Sequence, residues 1–118
     1  MKKIYFLSSC STCIRIIKEL GIKSDESFVF QDIKSEKITA AQLGEMAGIA
    51  GSYEALFSKK AIKYKELDLK NKILNESDYK KLILEEYTFL KRPAILLQDK
   101  IFVGNSKLVI DQARQELE

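Results

Sequence analysis

The chain contains no histidine. That removes the imidazole base of Cys–His and Ser–His–Asp hydrolysis, so nucleophilic catalysis of those kinds is excluded. Cysteine occurs only twice, as Cys10 and Cys13, so a structural zinc site with four nitrogen or sulfur ligands cannot be assembled. Proline occurs once, as Pro93, and no Pro/Gly-rich linker interrupts the 118 residues, a length that suits one domain with an ordinary core. No apolar run reaches bilayer-spanning length, so no membrane association is expected. The opening MKKIYFL is basic, but its apolar stretch is too short for an export signal, which predicts a cytoplasmic protein. Charge of one sign is also scarce. The formal net charge is +3, basic and acidic residues are interleaved, and only three of the twenty basic residues (Arg15, Arg92, Arg114) are arginine. A solvated surface is expected rather than a nucleic-acid groove, and a monomer rather than an assembly.

What is present begins with MKKIYFLSSCSTCIRIIKELG. KKIYFLS is rich in β-favouring residues and reads as a buried strand. STCIRIIKELG places Ile14, Ile16, Ile17 and Leu20 near helical spacing, with Ser11 or Thr12 as the cap and Gly21 as the stop. ESFVFQDI reads as a second strand. From Thr39 to Leu90 the pattern is helical: TAAQLGEMAGIAG capped by Thr39, a short helix over SYEALFSKK, and NESDYKKLILEEYTFL starting at Asn75 or Ser77. PAILLQDKIFVG predicts two short strands around a turn at Gln98-Asp99-Lys100, and NSKLVIDQARQELE closes the chain as a helix. The order β-α-β, helical block, β-β-α predicts an α/β fold, a thioredoxin-like (glutaredoxin-like) sandwich of about four strands. Its core is expected over about residues 1–36 and 91–118, with a helical insertion over about 37–90.

On a strand-to-helix turn, Cys10 falls at the helix N-terminus and Cys13 one turn later on the same face. Free N–H groups and the positive helix end stabilise a thiolate there, so Cys10 is the candidate nucleophile and Cys13 the resolving thiol. The turn amides of Ser11, Thr12 and Cys13 can also hold an anion. The competing reading is a pair of ordinary buried cysteines. Stable structural disulfides are rare in the cytoplasm, which tilts the balance toward redox chemistry. Pro93 precedes the strand AILL, where a thioredoxin-type sandwich commonly holds a cis proline facing the dithiol; a plain helix stop after Leu90 explains it as well. The planar fork of Arg92 suits an oxyanion near the Cys10 sulfur, although a surface arginine accounts for it equally. Lys59 and Lys60 form a second basic pair.

YFLSSCSTCIRIIKEL, ALFSKKAIKYKELDL, LILEEYTFLKRPAILL and DKIFVGNSKLVIDQ together resemble the arsenate reductase/Spx family over nearly the whole length. The resemblance implies one thioredoxin-like domain with a helical insertion. In the glutaredoxin-coupled arsenate reductases a cysteine attacks arsenate, three arginines hold the oxyanion, and glutathione supplies electrons. Cys10 matches that nucleophile and Arg92 the arginine before the proline. Ser58 and Asn105 stand at the other two arginine positions, followed in the first case by Lys59 and Lys60. Cys13 departs from that branch and is similar instead to the Spx-type regulators, whose CxxC is an oxidation switch. Those proteins bind the C-terminal domain of the RNA polymerase α subunit through a surface that includes a glycine, matched here by Gly51. Lys60 falls near the arginine that contacts their oxidised switch. The resemblance therefore implies a small oxyanion or thiol substrate, no bound cofactor, and glutathione or glutaredoxin as electron donor. Its alternatives are a redox-sensing regulator or a glutathione-dependent thiol reductase.

Overall fold

The computed structural model describes residues 2–23 and 27–117. They divide into two compact units, one running to Lys37 and resuming at Arg92, the other Ile38–Lys91.

The first unit is built on a four-stranded sheet in the order β2-β1-β3-β4, with β1 at Lys2–Phe6, β2 at Val29–Asp32, β3 at Ala94–Leu97 and β4 at Lys100–Val103. β1 runs parallel to β2 and antiparallel to β3, and β3 runs antiparallel to β4. Parallel pairing requires a crossover, and α1 (Ser11–Leu20) supplies it between β1 and β2. α5 (Lys107–Leu117) follows β4 and packs on both β4 and α1. The strand register places Ile4 opposite Phe30 on one side and Ile95 on the other. That face carries the core of Ile4, Ile17, Ile22, Phe28, Ile95, Leu97 and Ala113, with Phe6, Leu20, Phe30, Phe102 and Leu117 packed at its margin. Because side chains alternate across a strand, Tyr5, Gln31, Ala94 and Leu96 point to the opposite face, and all four are buried. Burial on both faces is why AILL, and IYF within β1, read as continuous apolar runs.

Several boundaries differ from those the residue pattern predicts. β1 stops at Phe6 rather than at Ser8, because Leu7 to Cys10 turn back on themselves through the Cys10 N–H donating to the Leu7 carbonyl at 3.0 Å. As a result α1 is capped by Cys10, not by Ser11 or Thr12. The strand expected over ESFVFQDI covers Val29–Asp32, and its first residue lies outside the described ones. Lys100 pairs with Leu97 as the first residue of β4, so the hairpin turn is only Gln98-Asp99, with Gln98 held at φ 59°. α5 starts at Lys107, with the Ser106 hydroxyl accepting from the Val109 N–H at 3.2 Å.

The second unit contains α2 (Ala40–Ala50), α3 (Ile62–Glu66) and α4 (Glu76–Glu85), with single 3-10 turns at Glu54–Leu56, Leu69–Asn71 and Tyr87–Phe89. Two capping boxes set helix starts: Thr39 with Gln42 at α2, and Asn75 with Asp78 at α4. SYEALFSKK is not a helix. Phe57 leaves its 3-10 turn extended and forms an antiparallel bridge with Leu90, reinforced by Ser58 N–H to Phe89 carbonyl at 2.6 Å and Lys91 N–H to Leu56 carbonyl at 2.8 Å. The Phe57 ring stacks on Phe89 with centroids 4.9 Å apart and lies at the same distance from Tyr79. That aromatic cluster overrides the local helical pattern, since burying large rings outweighs a few tenths of a kcal/mol of propensity per residue. Among the described residues, no helix is long and apolar enough to cross a membrane.

Ile4 has no exposed surface and is central to the first core. Ile4→Ala should therefore lower the free energy of unfolding by about 2–5 kcal/mol, measured by denaturant titration. A loss under ~1 kcal/mol would show that the β1 centre is not the core the register describes.

Candidate functional site

The site grows out of the way β1 ends. Once the chain turns at Leu7–Cys10, α1 begins at once, and its first N–H groups have no carbonyl partners within the helix. A serine or aspartate at the cap would satisfy one of them. Here the cap is Cys10, at φ −94° and ψ 109°, and its neutral thiol makes no capping hydrogen bond. Ionisation changes that. The sulfur is partly exposed, and its partial burial works against the anion, but the Cys13 N–H, the Cys13 thiol, the charge of Arg92 and the Thr12 N–H together outweigh burial. The net result is a Cys10 thiol held below its ordinary pKa. Once ionised, the sulfur completes the helix start. No acidic residue occupies the first turn of α1 to oppose the charge.

Cys13 lies one turn further along the same face and has no exposed surface. Burial pushes its thiol up to about 11, the Leu7 N–H opposes the rise, and the Cys10 thiolate adds to it. The two sulfurs therefore share one proton unequally: Cys10 gives it up and Cys13 keeps it. Both cysteines are free thiols. Among the described residues, no cluster of three or more His, Cys, Asp or Glu could hold a metal ion.

Arg92 and Pro93 complete the group. They sit immediately before β3, which pairs with β1, and the Arg92–Pro93 peptide bond is cis. The Pro93 carbonyl accepts from the Gly104 N–H at 2.9 Å. Arg92 exerts its charge on both cysteines. Arg15 pairs with Glu19 at 2.9 Å, and Arg114 pairs with Asp111 at 3.0 Å and Glu19 at 4.0 Å. Among the described residues, Arg92 alone of the three arginines is not engaged by a carboxylate.

The remaining candidates are dispersed. Ser11 and Thr12 form the first turn of α1, with Ser11 exposed. Gly51 and Lys60 belong to the second unit. Gly51 ends α2 at φ 102°, donating its N–H to the Ala47 carbonyl at 2.8 Å, a conformation that favours glycine whatever else the residue does. Lys60 is exposed on a turn, where its N–H donates to the Ser58 hydroxyl at 3.3 Å. Asn105 is exposed between β4 and α5.

Ser8 and Asp32 are not among the residues that motif spacing singles out, yet they meet beside the dithiol turn: the Ser8 hydroxyl donates to an Asp32 carboxylate oxygen at 2.5 Å. They are 24 positions apart, and only the β1–β2 register joins them. The sole local signal is the Asp-x-Lys spacing after β2, which suits an Asx turn; the Lys34 N–H donates to the other Asp32 oxygen at 3.2 Å.

The thiolate is the nucleophilic form, so a lowered pKa means more reactive Cys10 at neutral pH. In a Cys13→Ser variant, the rate of Cys10 alkylation by iodoacetamide should rise with pH and level off below the range of an ordinary thiol. Cys13 in the wild type should stay unlabelled until the pH approaches about 11. Arg92→Gln removes a positive charge from both groups, so the Cys10 profile should move to higher pH. A Cys10 midpoint at or above the ordinary thiol value would contradict this electrostatic account.

Comparison with known proteins places the fold and the family. No curated protein sequence matches the chain. Among solved structures, the YffB (PA3664) protein aligns with a TM-score of 0.80 at 19% identity, covering 100% of both chains. Arsenate reductase from Vibrio cholerae aligns with a TM-score of 0.76 at 16% identity, covering 99% of this chain and 97% of its own. SACOL0876 from Staphylococcus aureus aligns with a TM-score of 0.71 at 27% identity, covering 95% and 97%. The shared architecture is thioredoxin-like, with a mixed four-stranded sheet flanked by helices. The ArsC family model matches residues 5–113, and the chain belongs to the ArsC family.

Proposed function

We propose that the protein is a thiol–disulfide oxidoreductase of the arsenate-reductase type, with Cys10 as nucleophile and Cys13 as resolving thiol. The observation that carries this reading is the division of labour between the two sulfurs. One is partly exposed and stabilised as a thiolate at a helix start; the other is buried, protonated and in hydrogen-bond contact with it. The presence of an arsenate reductase among the structural neighbours supports a small oxyanion as the substrate.

With arsenate the reaction balances as follows. The Cys10 sulfur displaces one oxygen from arsenic, which leaves as water after protonation. A second thiol then attacks the Cys10 sulfur, the S–As bond breaks, and its electron pair stays on arsenic. Arsenate and two thiols thereby give arsenite, one disulfide and one water. Cys13 is placed to be the second thiol; glutathione can take the same part, and glutathione or glutaredoxin returns the two electrons. During attack, the Thr12 and Cys13 amides and the Arg92 fork stabilise negative charge at the turn, as helix N-termini and guanidinium groups do for other oxyanions. The Ser11 amide joins them in the proposed anion-binding set.

A second reading rests on a specific observation. The resemblance sets Ser58 and Asn105 at the positions of two family arginines, and among the described residues Arg15 and Arg114 are held by carboxylates while Arg92 is not. A single fork favours a protein whose CxxC is oxidised as a switch, with the RNA polymerase α subunit as partner and Gly51 in the contact surface.

Steady-state arsenate reduction with glutathione and glutaredoxin, run beside a pull-down with RNA polymerase, separates the two. The enzyme reading expects arsenite formation that Cys10→Ser abolishes. Arg92→Lys keeps charge but loses the fork, and should weaken arsenate or sulfate binding by about 1–2 kcal/mol in titration calorimetry. Absence of both turnover and anion binding, with polymerase capture, transfers the function to the switch. Either reading expects diamide to join Cys10 and Cys13 within one chain, seen as a loss of two hydrogens by mass spectrometry. Predominant disulfide-linked dimers would remove both.

A further inference from the structure

The turn that carries Cys10 is tied from outside the dithiol. Residues Leu7 to Cys10 close through one internal hydrogen bond, Cys10 N–H to Leu7 carbonyl at 3.0 Å, and their two corner residues, Ser8 and Ser9, are exposed. The neighbouring strand adds a second tie, at the Ser8–Ser9 corner itself. Asp32 ends β2 directly beside Phe6, the last residue of β1, and the next residue, Ile33, donates its N–H to the Phe6 carbonyl at 3.0 Å. One Asp32 oxygen accepts from the Ser8 hydroxyl at 2.5 Å, and the other from the Lys34 N–H at 3.2 Å. The Asp32 carbonyl accepts in turn from the Glu36 N–H at 2.8 Å and the Ser35 hydroxyl at 3.4 Å. Asp32 is thereby held at both ends, and a charge-assisted hydrogen bond of this kind is about twice as strong as a neutral one.

We propose that Asp32 is a positioning residue for the Cys10 nucleophile, acting through Ser8 to hold the Leu7–Cys10 turn where the Thr12 and Cys13 amides face the sulfur. The proposal rests on Cys10 being the nucleophile, and it adds residues that the dithiol motif does not contain. The Ser8 hydroxyl, followed by the Lys34 and Ser8 N–H groups and the Lys34 charge, outweighs slight burial and keeps the Asp32 carboxyl below its ordinary pKa. The latch is therefore charged wherever Cys10 titrates. The groups acting on the Cys10 charge are Cys13 and Thr12 from α1 and Arg92 from the segment before β3.

The sign of the effect separates positioning from simple electrostatics. A negative carboxylate near a thiol raises its pKa, so loss of the Asp32 charge by itself would increase the thiolate fraction of Cys10. Loss of the latch has the opposite result, because a loosened turn no longer keeps two amides aimed at the sulfur. The experiment measures iodoacetamide pH–rate profiles of Cys10 in a Cys13→Ser background, with Ser8→Ala, Ser8→Thr, Asp32→Asn and Asp32→Ala added singly. Ser8→Ala leaves the Asp32 charge in place and should raise the Cys10 midpoint by about half a unit, roughly a threefold loss of labelling rate at pH 7. Ser8→Thr retains the hydroxyl and should restore the parent profile, which a merely destabilised fold would not do. Asp32→Asn keeps an acceptor and should shift the midpoint less than Asp32→Ala, both upward. Unchanged or lowered midpoints in Ser8→Ala and Asp32→Ala, beside a low parent midpoint, overturn the latch and leave the nucleophile assignment standing. An ordinary midpoint in the parent overturns both.

Discussion

One hydrogen bond, from the Cys10 N–H to the Leu7 carbonyl, determines what the rest of the site can do. It ends a central strand at Phe6 and starts α1 five residues later, with a cysteine at the position where helices usually carry an oxygen. β1 cannot shift to relieve this turn, because it is paired on both sides and Ile4 and Tyr5 are buried on opposite faces. A one-residue slip would exchange those faces. The reactive sulfur is thus delivered by the most constrained element of the sheet, a short distance beyond its end.

The chemistry at that point is arranged without histidine. Two amides, one guanidinium and a neighbouring thiol lower the Cys10 pKa, and the same geometry raises that of Cys13 through burial and the charge next to it. Pushing two adjacent titratable groups apart separates their behaviour: the accessible thiol ionises more readily and the buried one holds its proton. Arg92 contributes because the antiparallel pairing of β1 and β3 brings the segment before β3 to the end of β1 where the turn begins. Arg15, by contrast, lies in α1 itself but spends its charge on Glu19 one turn away.

The second unit obeys a different balance. Its two longer helices, α2 and α4, start at capping boxes, but its middle is decided by aromatic packing. Phe57, Phe89 and Tyr79 gather around an isolated antiparallel bridge, and SYEALFSKK makes one 3-10 turn and then extends at Phe57 instead of running on as a helix.

The sequence by itself determined the thioredoxin-like class, the dithiol at a strand-to-helix junction, and the rough places of the four strands though not their limits. These follow from local pattern: apolar runs, caps, and the 3.6-residue spacing that sets Cys10 and Cys13 on one face. Which residue caps α1 was decided by the turn before it, since Ser11 and Thr12 are better cap formers than cysteine and lose to the Cys10–Leu7 hydrogen bond. The helix expected over SYEALFSKK gave way because burying Phe57 against Phe89 outweighs local preference. Arg15 with Glu19 and Arg114 with Asp111 are engaged at helical spacings the chain already shows, but the contact of Ser8 with Asp32 depends on strand register across 24 residues. Tertiary structure alone decides such matters, because pairing between distant residues leaves no periodic trace in the chain that encodes it.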